Sequence, residues 1–362
     1  MNVLVVSEQW PWPAHQGDHV RLDAIVRTLA ATHRVTLLGQ PGPTRPAIAG
    51  VDAVALPVTK RVRSLAQYPR LPSTVALRMD AALRQTITQV AAKHHRVLFY
   101  QLKTTAWLDS QLPPEHVVVD LTDSLALYYR RRGGLWRIEA RRAHQAERDI
   151  ATRYATTVVS DHDREAIDPD HTLHVIVAPN GYWTPVKGDR RPEPNQVIAV
   201  GNWHYYPNQA GIRHFTKRVW PHVQHANPAA RLWVVGRGPN PLPTGVPGVE
   251  WIGEVDDLGD WYQRAAVAVA PVYVGAGMKT KIMEALFYHL PVVATALGAE
   301  GIDPTPVLLA AKDDQGLARG IVQGLATPPS WPQAAWETFV QDHAWTLTLR
   351  PLVRAVEQGM AP

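Results

Sequence analysis

The sequence contains no cysteine among its 362 residues. This absence excludes a scaffold held by disulfide bonds, a thiolate-bound zinc site and a cysteine nucleophile. Because there is no cysteine, cysteine usage also gives no indication of the cellular compartment. Long apolar runs are also missing, because residues 265–274 are interrupted by Pro271 and fall short of the ~20 residues of a membrane-spanning helix. The apolar run at residues 3–6 is too short for a signal peptide. We therefore expect a soluble protein.

Well-known nucleotide and catalytic motifs are absent as well. The G-x-G-x-x-G of dinucleotide-binding domains does not follow the first predicted strand, where residues 10–17 read W-P-W-P-A-H-Q-G. Residues 277–280 resemble a P-loop only superficially, since no glycine directly precedes the lysine. The sequence also lacks G-x-S-x-G, and its 16 histidines show no metal-binding helical spacing beside a glutamate. These absences argue against an oxidoreductase and against a P-loop nucleotide site.

The pattern of apolar residues predicts two doubly wound α/β domains. Short apolar runs alternate with longer amphipathic stretches, which is typical of parallel sheets with helices on both faces. A turn-rich stretch at residues 178–194 indicates a linker. We expect one domain at residues 1–178, a second at residues 182–344, and a helix at about 345–362 that packs back on the first. The predicted strands are residues 2–7, 34–38, 51–56, 97–100, 117–121, 156–160, 197–200, 231–235, 249–252, 266–270 and 291–294. The predicted helices are residues 18–31, 73–92, 123–132, 136–154, 209–225, 279–288 and 345–358.

The most informative loop lies within residues 270–295 of the second predicted domain. In open parallel sheets, ligands bind beyond the carboxyl ends of the strands, and a predicted strand ends at the start of this segment. Gly275 and Gly277 allow the backbone to approach a ligand closely, directly before a predicted helix. Lys279 and Lys281 oppose the helix dipole in its first turn, a conflict that a bound diphosphate resolves. The alternative interpretation is a tight turn with solvated lysines.

This loop and the helix after it resemble the donor-nucleotide motif of the retaining GT-B glycosyltransferases of group 1, family four. The family pattern runs roughly G-x-G-x-[RK]-x-K-x-x-E-A, and residues 275–285 read G-A-G-M-K-T-K-I-M-E-A. Other segments fit the same family in the same order: residues 160–161, 179–181, 200–208, 235–239, 253–255 and 298–301. The resemblance covers most of the chain and is closest to the polysaccharide-associated sugar transferases. It implies a GT-B fold, with two Rossmann-like domains facing each other across a cleft.

The resemblance also implies roles for individual residues. Glu284 matches the glutamate that binds the nucleotide ribose, and Lys281 together with Lys279 matches the positive charges on the diphosphate. The other donor-binding positions lie in strand-end loops: Gly275, Ala276, Gly277, Met278, Arg237, Asn202, Gly253, Glu254 and Val255. In the first domain, Gly17 and Asp18 match a glycine loop that faces the donor phosphates or the acceptor.

Three positions depart from the family pattern. Ala276 stands where the fuller motif has the first of two glutamates, and His289 stands where this branch has glycine. Asn202 opens a loop in which the family often carries arginine or lysine for the diphosphate. These departures leave the donor sugar and the details of phosphate neutralisation open, whereas the expected fold is unaffected.

Other residues permit two interpretations each. Asp161 with Asp163, and Asp168 with Asp170, spell the D-x-D of metal-dependent transferases, but helix capping and turn formation fit their positions better. We therefore predict no metal site. Asp123 follows a buried predicted strand, where it either orients or deprotonates an acceptor hydroxyl or caps the next helix. Core packing is favoured over sugar stacking for three tryptophans in strand-end loops: Trp10, Trp12 and Trp203.

The resemblance implies a retaining transfer of a sugar from a nucleoside-diphosphate sugar to an acceptor hydroxyl. Such a reaction belongs to polysaccharide, glycolipid or other glycoconjugate biosynthesis, and it needs no metal and no cofactor beyond the nucleotide-sugar co-substrate. Two alternatives remain open. One is a sugar-nucleotide 2-epimerase of the same fold, and the other is a catalytically inactive nucleotide-sugar-binding subunit, which Ala276 suggests.

The net charge of +5 lies in the first half of the chain. Residues 1–180 contain 22 Lys and Arg against 17 Asp and Glu, whereas residues 181–362 contain 15 of each kind. Basic residues concentrate at 60–103 and 130–142, which form either a solvated face or a surface for anionic lipid or a lipid-linked acceptor. We therefore expect a cytoplasmic protein, peripheral on the inner face of the membrane, whose acceptor is lipid-linked or an oligosaccharide. Nucleic acid is not an expected partner.

Overall fold

The computed structural model describes residues 1–14, 16–57, 69–183 and 190–359. The chain divides into two compact units, each built on its own sheet. We call Met1–Asn180 together with Trp345–Pro362 the N-terminal unit, and Gly181–Ala344 the C-terminal unit.

The strands are short runs of mainly apolar residues, which suits parallel strands buried on both faces. In chain order they are β1 Asn2–Gln9, β2 Arg34–Gln40, β3 Val51–Ala55, β4 Arg96–Tyr100, β5 Val117–Thr122, β6 Ala155–Val158, β7 Val175–Val177, β8 Gln196–Val200, β9 Arg231–Val235, β10 Val249–Gly253, β11 Val267–Ala270, β12 Val292–Thr295 and β13 Leu308–Ala311. The N-terminal unit has a seven-stranded sheet of order β3-β2-β1-β4-β5-β6-β7. The C-terminal unit has a six-stranded sheet of order β10-β9-β8-β11-β12-β13. All the pairings are parallel.

Helices connect the strands and cover the sheets. In chain order they are α1 Gly17–Ala30, α2 Ser73–Ala76, α3 Ala81–Ala91, α4 Leu125–Arg132, α5 Trp136–Arg153, α6 Asp161–Ile167, α7 Tyr206–Arg218, α8 Trp220–Ala226, α9 Leu258–Arg264, α10 Thr280–Phe287, α11 Ala296–Ala299, α12 Asp314–Ala326, α13 Gln333–Asp342, α14 Trp345–Thr348 and α15 Arg350–Gln358. The last of these, α15, packs on β4, β5 and β7 of the N-terminal unit, where Leu352 and Val356 are fully buried. Among the described helices, none combines the length and apolarity needed to cross a bilayer.

The predicted fold class is confirmed, because both sheets are wholly parallel and helices alternate with their strands. Sequence reasoning missed two short strands, β7 with three residues and β13 with four, and it also missed the longer helices α12, with 13 residues, and α13, with 10. The predicted helix at residues 73–92 is two helices, since the carboxylate of Asp80 caps α3 by accepting a hydrogen bond from the Leu83 N–H at 3.0 Å. The predicted helix at residues 209–225 is also two, because α8 starts afresh with a proline in its first turn.

Each sheet has one point at which the strand order reverses. In the N-terminal unit it lies between β1 and β4, and in the C-terminal unit between β8 and β11. The connecting helices leave such a point on opposite faces of the sheet, so the loops beyond the strand ends diverge and open a crevice. We therefore expect a ligand site of the C-terminal unit at the loops after β8 and β11.

Candidate functional site

Two loops meet at the reversal point of the C-terminal sheet. One follows β8 and leads into α7, and the other follows β11 and leads into α10. The Nζ of Lys281, in the first turn of α10, donates a hydrogen bond to Oδ1 of Asn208 in α7 at 2.8 Å. The Nδ2 of Asn208 donates in turn to the backbone oxygen of Asn202 at 2.9 Å. A lysine expected from the motif thus lies against the loop after β8, at the edge where parallel sheets bind ligands.

The glycine loop before α10 is shaped by its own lysine. The Nζ of Lys279 donates hydrogen bonds to the backbone oxygen of Ala276, at 2.8 Å, and to that of Gly277. Gly277 has a φ of 70°, a left-handed conformation that glycine adopts at low cost, and Gly275 and Met278 are buried. Lys279 itself is the residue before α10, so the helix begins later than the sequence predicted. The phosphate contact of Lys279 stays a prediction, while its observed contacts hold the loop closed.

Lys281 and Glu284 are close to one helical turn apart on α10, and both are partly buried. Loss of hydration, together with the charge of Lys279, lowers the pKa of Lys281 to about 8 against the opposing charge of Glu284. Loss of hydration raises the pKa of Glu284 to about 7, against a hydrogen bond from Tyr262 and the charge of Lys281. A ligand that brings negative charge to Lys281 and hydroxyl donors to Glu284 would favour the charged form of both groups.

Sequence reasoning missed the tyrosines around Glu284. The Oη of Tyr262, on α9, donates a hydrogen bond to Glu284 Oε2 at 3.2 Å, and its ring centroid lies 5.2 Å from that of Tyr288. Burial raises the pKa of Tyr262 and that of Tyr182, and the nearby Glu284 carboxylate raises both further, so both hydroxyls stay protonated. The one indication in the sequence was Asp257, a residue type that favours helix starts, whose side chain caps α9, the helix that carries Tyr262. Nothing in the sequence spacing indicates that α9 packs against α10.

A polar cluster anchors the loop after β11, and it too has no signal in the sequence. The Oη of Tyr273 donates a hydrogen bond to Oδ1 of Asp314 at 2.7 Å, and Nε2 of His214 lies 2.7 Å from the other carboxylate oxygen. The rings of His214 and Tyr273 are 4.3 Å apart. Because His214 belongs to α7 and Asp314 to α12, the loop is fixed to two helices of the C-terminal unit.

The expected residues after β9 and β10 lie at the solvent-exposed ends of those strands. The Nε of Arg237 is 3.9 Å from Oε1 of Glu254, and their side chains are 55% and 60% exposed. The backbone oxygen of Gly253 accepts a hydrogen bond from the Gly236 N–H at 2.7 Å, which aligns the two strand ends. Val255, the next expected position, is partly buried. The structure brings together Lys281, Lys279 and Glu284, whereas Arg237 and Glu254 form an exposed pair of their own.

Comparison with known proteins identifies the domain that carries this geometry. Residues 194–327 match the family model described as glycosyl transferases group 1. Residues 194–327 form a group 1 glycosyltransferase domain. That range contains the loops after β8 and β11 and the whole of α10.

The GT-B fold of the whole chain is shared with solved structures. Sucrose-phosphate synthase from Thermosynechococcus elongatus is 17% identical with a TM-score of 0.67, covering 98% of this chain and 94% of that chain. The Anabaena protein HepE, solved in complex with UDP, is 14% identical with a TM-score of 0.66, covering 99% and 100%. The alpha,alpha-trehalose-phosphate synthase (UDP-forming) from Burkholderia vietnamiensis is 12% identical with a TM-score of 0.63, covering 98% and 96%. No curated protein is similar enough in sequence to match the chain.

In the glycosyltransferase domain, the loop after β8 is organised around a buried tryptophan. Trp203 is 2% exposed, and its Nε1 donates a hydrogen bond to the backbone oxygen of Val235 at 3.0 Å. Trp10 and Trp12 of the N-terminal unit are also buried, so core packing is confirmed for all three tryptophans. The Oδ1 of Asn202 accepts a hydrogen bond from the backbone N–H of His204 in the same loop.

Outside the glycosyltransferase domain, Gly17 and Asp18 lie at the start of α1, after β1. The backbone oxygen of Asp18 accepts a hydrogen bond from the Oη of Tyr100 at 2.6 Å. Since Tyr100 ends β4, this contact ties together the two loops at the reversal point of the N-terminal sheet.

Asp120 and Asp123, at the end of β5, have different environments. Asp120 is fully buried, and Arg21 donates to its two carboxylate oxygens at 2.9 and 3.0 Å. Asp123 is partly buried in the following turn. The interpretation of Asp123 as a helix cap is wrong, because the Oγ of Ser124 caps α4 by accepting a hydrogen bond from the Leu127 N–H at 3.1 Å. Its role toward an acceptor stays a prediction.

Three of the four D-x-D carboxylates are engaged in structural contacts. Asp163 accepts a hydrogen bond from the Ser124 N–H at 2.9 Å, and Asp161 pairs with Arg164 at 2.7 Å. Asp168 accepts two backbone N–H groups from the turn after α6. Within the part of the chain that the structure describes, no group of three or more histidine, aspartate or glutamate side chains is placed to hold a metal ion.

Proposed function

We propose that the protein is a retaining glycosyltransferase that moves a sugar from a nucleoside-diphosphate sugar to an acceptor hydroxyl. The observation that carries the proposal is the position of Lys281 in a group 1 glycosyltransferase domain, between the loops after β8 and β11. A lysine with a lowered pKa, a helix N-terminus and a partly buried carboxylate in one crevice suit a diphosphate and its ribose.

In this proposal, Lys281 takes up the charge of the leaving group. The bond between the anomeric carbon and the diphosphate breaks, and the acceptor oxygen bonds to that carbon on the same face. Lys281 exchanges its contact with Asn208 for diphosphate oxygens, and the first N–H groups of α10 add fixed positive potential. Glu284 accepts hydrogen bonds from ribose hydroxyls, and Lys279 keeps the glycine loop in shape. Asp123 orients or deprotonates the acceptor hydroxyl.

We propose that the reaction needs neither a metal ion nor another cofactor, because fixed lysine and backbone charges serve the leaving diphosphate. The nucleotide to test first is UDP, since two of the similar solved structures carry UDP in their names. Transfer should persist unchanged after dialysis against a chelator. A loss of activity that Mg²⁺ or Mn²⁺ restores would contradict this part of the proposal.

The proposed setting is polysaccharide, glycolipid or other glycoconjugate biosynthesis in the cytoplasm. The acceptor is an oligosaccharide or a lipid-linked sugar, and the basic segments 60–103 and 130–142 meet the anionic inner face of the membrane. Residues 60–68 of the first segment lie outside the described residues.

The test of the donor site is Lys281→Met against Lys312→Met, an exposed lysine of the same unit. We expect Lys281→Met to lower kcat by about 10²–10³-fold, the usual cost of removing one group that stabilises a developing anion. Lys312→Met should retain normal turnover. Equal activity of the two variants would contradict the assignment of Lys281.

The role of Glu284 is tested by nucleotide binding. Glu284→Gln should weaken UDP affinity, whereas Glu337→Gln, at an exposed position of the same unit, should not. Full affinity in Glu284→Gln would contradict the ribose contact.

Incubation of nucleotide sugars without acceptor distinguishes the alternative functions, because only a 2-epimerase converts the nucleotide sugars under these conditions. Binding of a nucleotide sugar without turnover on any acceptor would indicate an inactive subunit.

A further inference from the structure

The hairpin formed by α4 and α5 ends in an exposed apolar turn. Leu135, in the turn, is 88% exposed, and Ile138, in the first turn of α5, is 55% exposed. Gly133 and Gly134 make the turn with φ values of 71° and 56°, and a Cβ added to either would meet no described residue beyond its chain neighbours within 4 Å. The turn therefore stands clear of the neighbouring elements of the N-terminal unit.

Arginines surround this turn, and we call residues 130–142 the arginine tip. Its basic residues are Arg130, Arg131, Arg132, Arg137, Arg141 and Arg142. The tip contains one acidic residue, Glu139, which accepts a hydrogen bond from the Ser73 N–H at 2.7 Å and pairs with Arg142 at 2.8 Å. The arginine tip thus combines two exposed apolar side chains with a strong local excess of positive charge.

The apolar residues at the turn are not needed to hold the hairpin together. A small core of Ala126, Tyr129, Ala140 and Ala143 joins the two helices. The Trp136 ring stacks on that of Tyr129 at 5.2 Å, and the Arg132 guanidinium lies 3.9 Å from the centroid of the Trp136 ring. Leu135 and Ile138 are outside this core, so the free energy of folding does not account for their presence.

We propose that the arginine tip docks the N-terminal unit on an anionic bilayer, with Leu135 and Ile138 inserted between the headgroups and the arginines on lipid phosphates. This inference rests on the membrane contact proposed above and narrows it to one hairpin. Apolar insertion combined with basic side chains is the composition of interfacial membrane anchors. A second copy of the chain is a poorer occupant, because a symmetric contact sets the same arginines against each other.

The hairpin connects the bilayer to the acceptor side of the proposed reaction. Glu147 of α5 accepts hydrogen bonds from the Ser124 Oγ at 2.9 Å and from the Ala126 N–H at 3.1 Å, which fixes the start of α4. Asp123 directly precedes this start, and the eight residues of α4, about 12 Å long, lead from there to the turn of the arginine tip. A docked tip therefore keeps Asp123 within roughly the length of α4 from the headgroups, where we expect it to meet a hydroxyl carried on a lipid.

Vesicle sedimentation tests the docking. The full chain should bind phosphatidylcholine vesicles that contain phosphatidylglycerol and should not bind vesicles of phosphatidylcholine alone. Leu135→Ser/Ile138→Ser should weaken binding about tenfold, and Arg130→Gln/Arg137→Gln/Arg141→Gln should weaken it at least as much. Leu309→Ser, which removes a side chain 46% exposed in the C-terminal unit, should bind normally. Undiminished binding of the Leu135→Ser/Ile138→Ser variant would overturn the insertion.

Insertion is tested directly by a fluorophore, since the chain has no cysteine of its own. The fluorescence emission of an environment-sensitive label on Leu135→Cys should shift to shorter wavelength when anionic vesicles are added. The emission of the same label on Leu309→Cys should not shift. A label at position 135 that stays in water, or a dimer formed through the tip, would overturn the proposal. UDP affinity should be normal in all these variants, so failure of docking is distinguishable from failure of the donor site.

Discussion

At the residue scale, the candidate donor site is built from groups whose charges are costly in the absence of ligand. Lys281 and Glu284 are drawn toward their neutral forms, with pKa values of about 8 and about 7. Among the described residues, neither has a full counter-charge at contact distance, because Lys281 bonds to the neutral amide of Asn208 and Glu284 to the hydroxyl of Tyr262. In the proposed function, a diphosphate and a ribose supply those partners, so that binding stabilises the charged forms of both side chains.

Donor affinity should therefore depend on pH with an optimum between about 7 and 8. Below that window Glu284 is protonated and loses its acceptor strength, and above it Lys281 loses its charge. The alkaline limb should fall up to about tenfold per pH unit, as for any single required proton. Titration calorimetry with a UDP-sugar measures this, since its diphosphate does not titrate in the range. The acid limb should vanish in Glu284→Gln, and an unchanged acid limb in that variant would contradict the assignment.

The ion pair of Arg21 and Asp120 is a second residue-scale feature, and it is structural. Both side chains are fully buried, and Arg21 also donates to Oδ1 of Asn180 at 3.1 Å. Asp120 additionally accepts a hydrogen bond from Thr157 Oγ1 at 2.7 Å. The network joins α1, β5 and β6 to Asn180, in the segment that follows β7. Removing either Arg21 or Asp120 therefore leaves a buried charge without its partner.

Arg21→Met should destabilise the N-terminal unit by about 3–5 kcal/mol, the usual cost of breaking a buried pair. Arg264→Met, which breaks the half-exposed pair with Glu193, should cost less than about 1 kcal/mol. Hydrogen exchange in increasing urea reports the free energy of unfolding, measured on the β5 amides for Arg21→Met and on the β8 amides for Arg264→Met, which lies in the C-terminal unit. A smaller loss in Arg21→Met than in Arg264→Met would rule out this account. Adding Asp120→Asn to Arg21→Met should restore part of the stability.

At the element scale, the C-terminal site depends on close packing between α7 and the loop after β11. A Cβ built on Gly211 of α7 would lie 2.1 Å from the backbone oxygen of Pro271, a separation that real atoms do not reach. The absence of a side chain at Gly211 therefore lets the helix carrying Asn208 approach the loop that leads to Lys281. The site geometry is set by this packing as well as by the motif.

Gly211→Ala should destabilise the C-terminal unit by at least about 2 kcal/mol, because a backbone oxygen cannot move aside without shifting the loop. It should also weaken UDP binding. Gly316→Ala is the matched control, since the atom nearest to its added Cβ belongs to a side chain, Oδ1 of Asp313 at 3.2 Å, and not to the backbone. Thermal unfolding and UDP titration of both variants measure the difference. Equal stability of the two would show that the contact relaxes without cost.

At the scale of the whole molecule, the chain returns to its first unit after completing the second. The C-terminal segment from Trp345 onward belongs to the N-terminal unit, and α15 packs on three of its strands. Stability of that unit therefore depends on residues more than 150 positions away from most of its sheet, whereas we expect ligand binding by the C-terminal unit not to depend on them.

Leu352→Ala should accordingly destabilise the N-terminal unit by about 2–5 kcal/mol, as expected for a fully buried leucine. Arg354→Ala, on the exposed side of the same helix, should have little effect. Hydrogen exchange resolved by peptide should show faster exchange in β4 and β5 and unchanged exchange in β11 and β12. UDP affinity should be unaltered. A parallel loss of UDP binding would contradict the expectation that α15 stabilises the N-terminal unit without affecting ligand binding by the C-terminal unit.

Sequence reasoning predicted the fold class because periodic apolar patterning is a local property. Both sheets and most helices match, and the motif at residues 275–285 indicated Lys281 and Glu284, whose donor contacts stay predictions. His289 shows a local departure that the structure explains, because its φ of 55° is the conformation for which the family uses glycine. There the imidazole stacks on Trp336 at 5.2 Å, and Arg190 donates to the backbone oxygen at 3.1 Å.

The sequence by itself determined the alternation of strands and helices, the missing thiol chemistry and the donor-type motif, since each depends on residue types at short spacing. Only the tertiary structure decided which side chains meet: Asn208 with Lys281, Tyr262 with Glu284, Arg21 with Asp120. It also decided that Ser124 caps α4 and that Leu135 is exposed. These outcomes depend on packing between elements far apart in the chain, and no periodicity encodes which helix face lies against which loop.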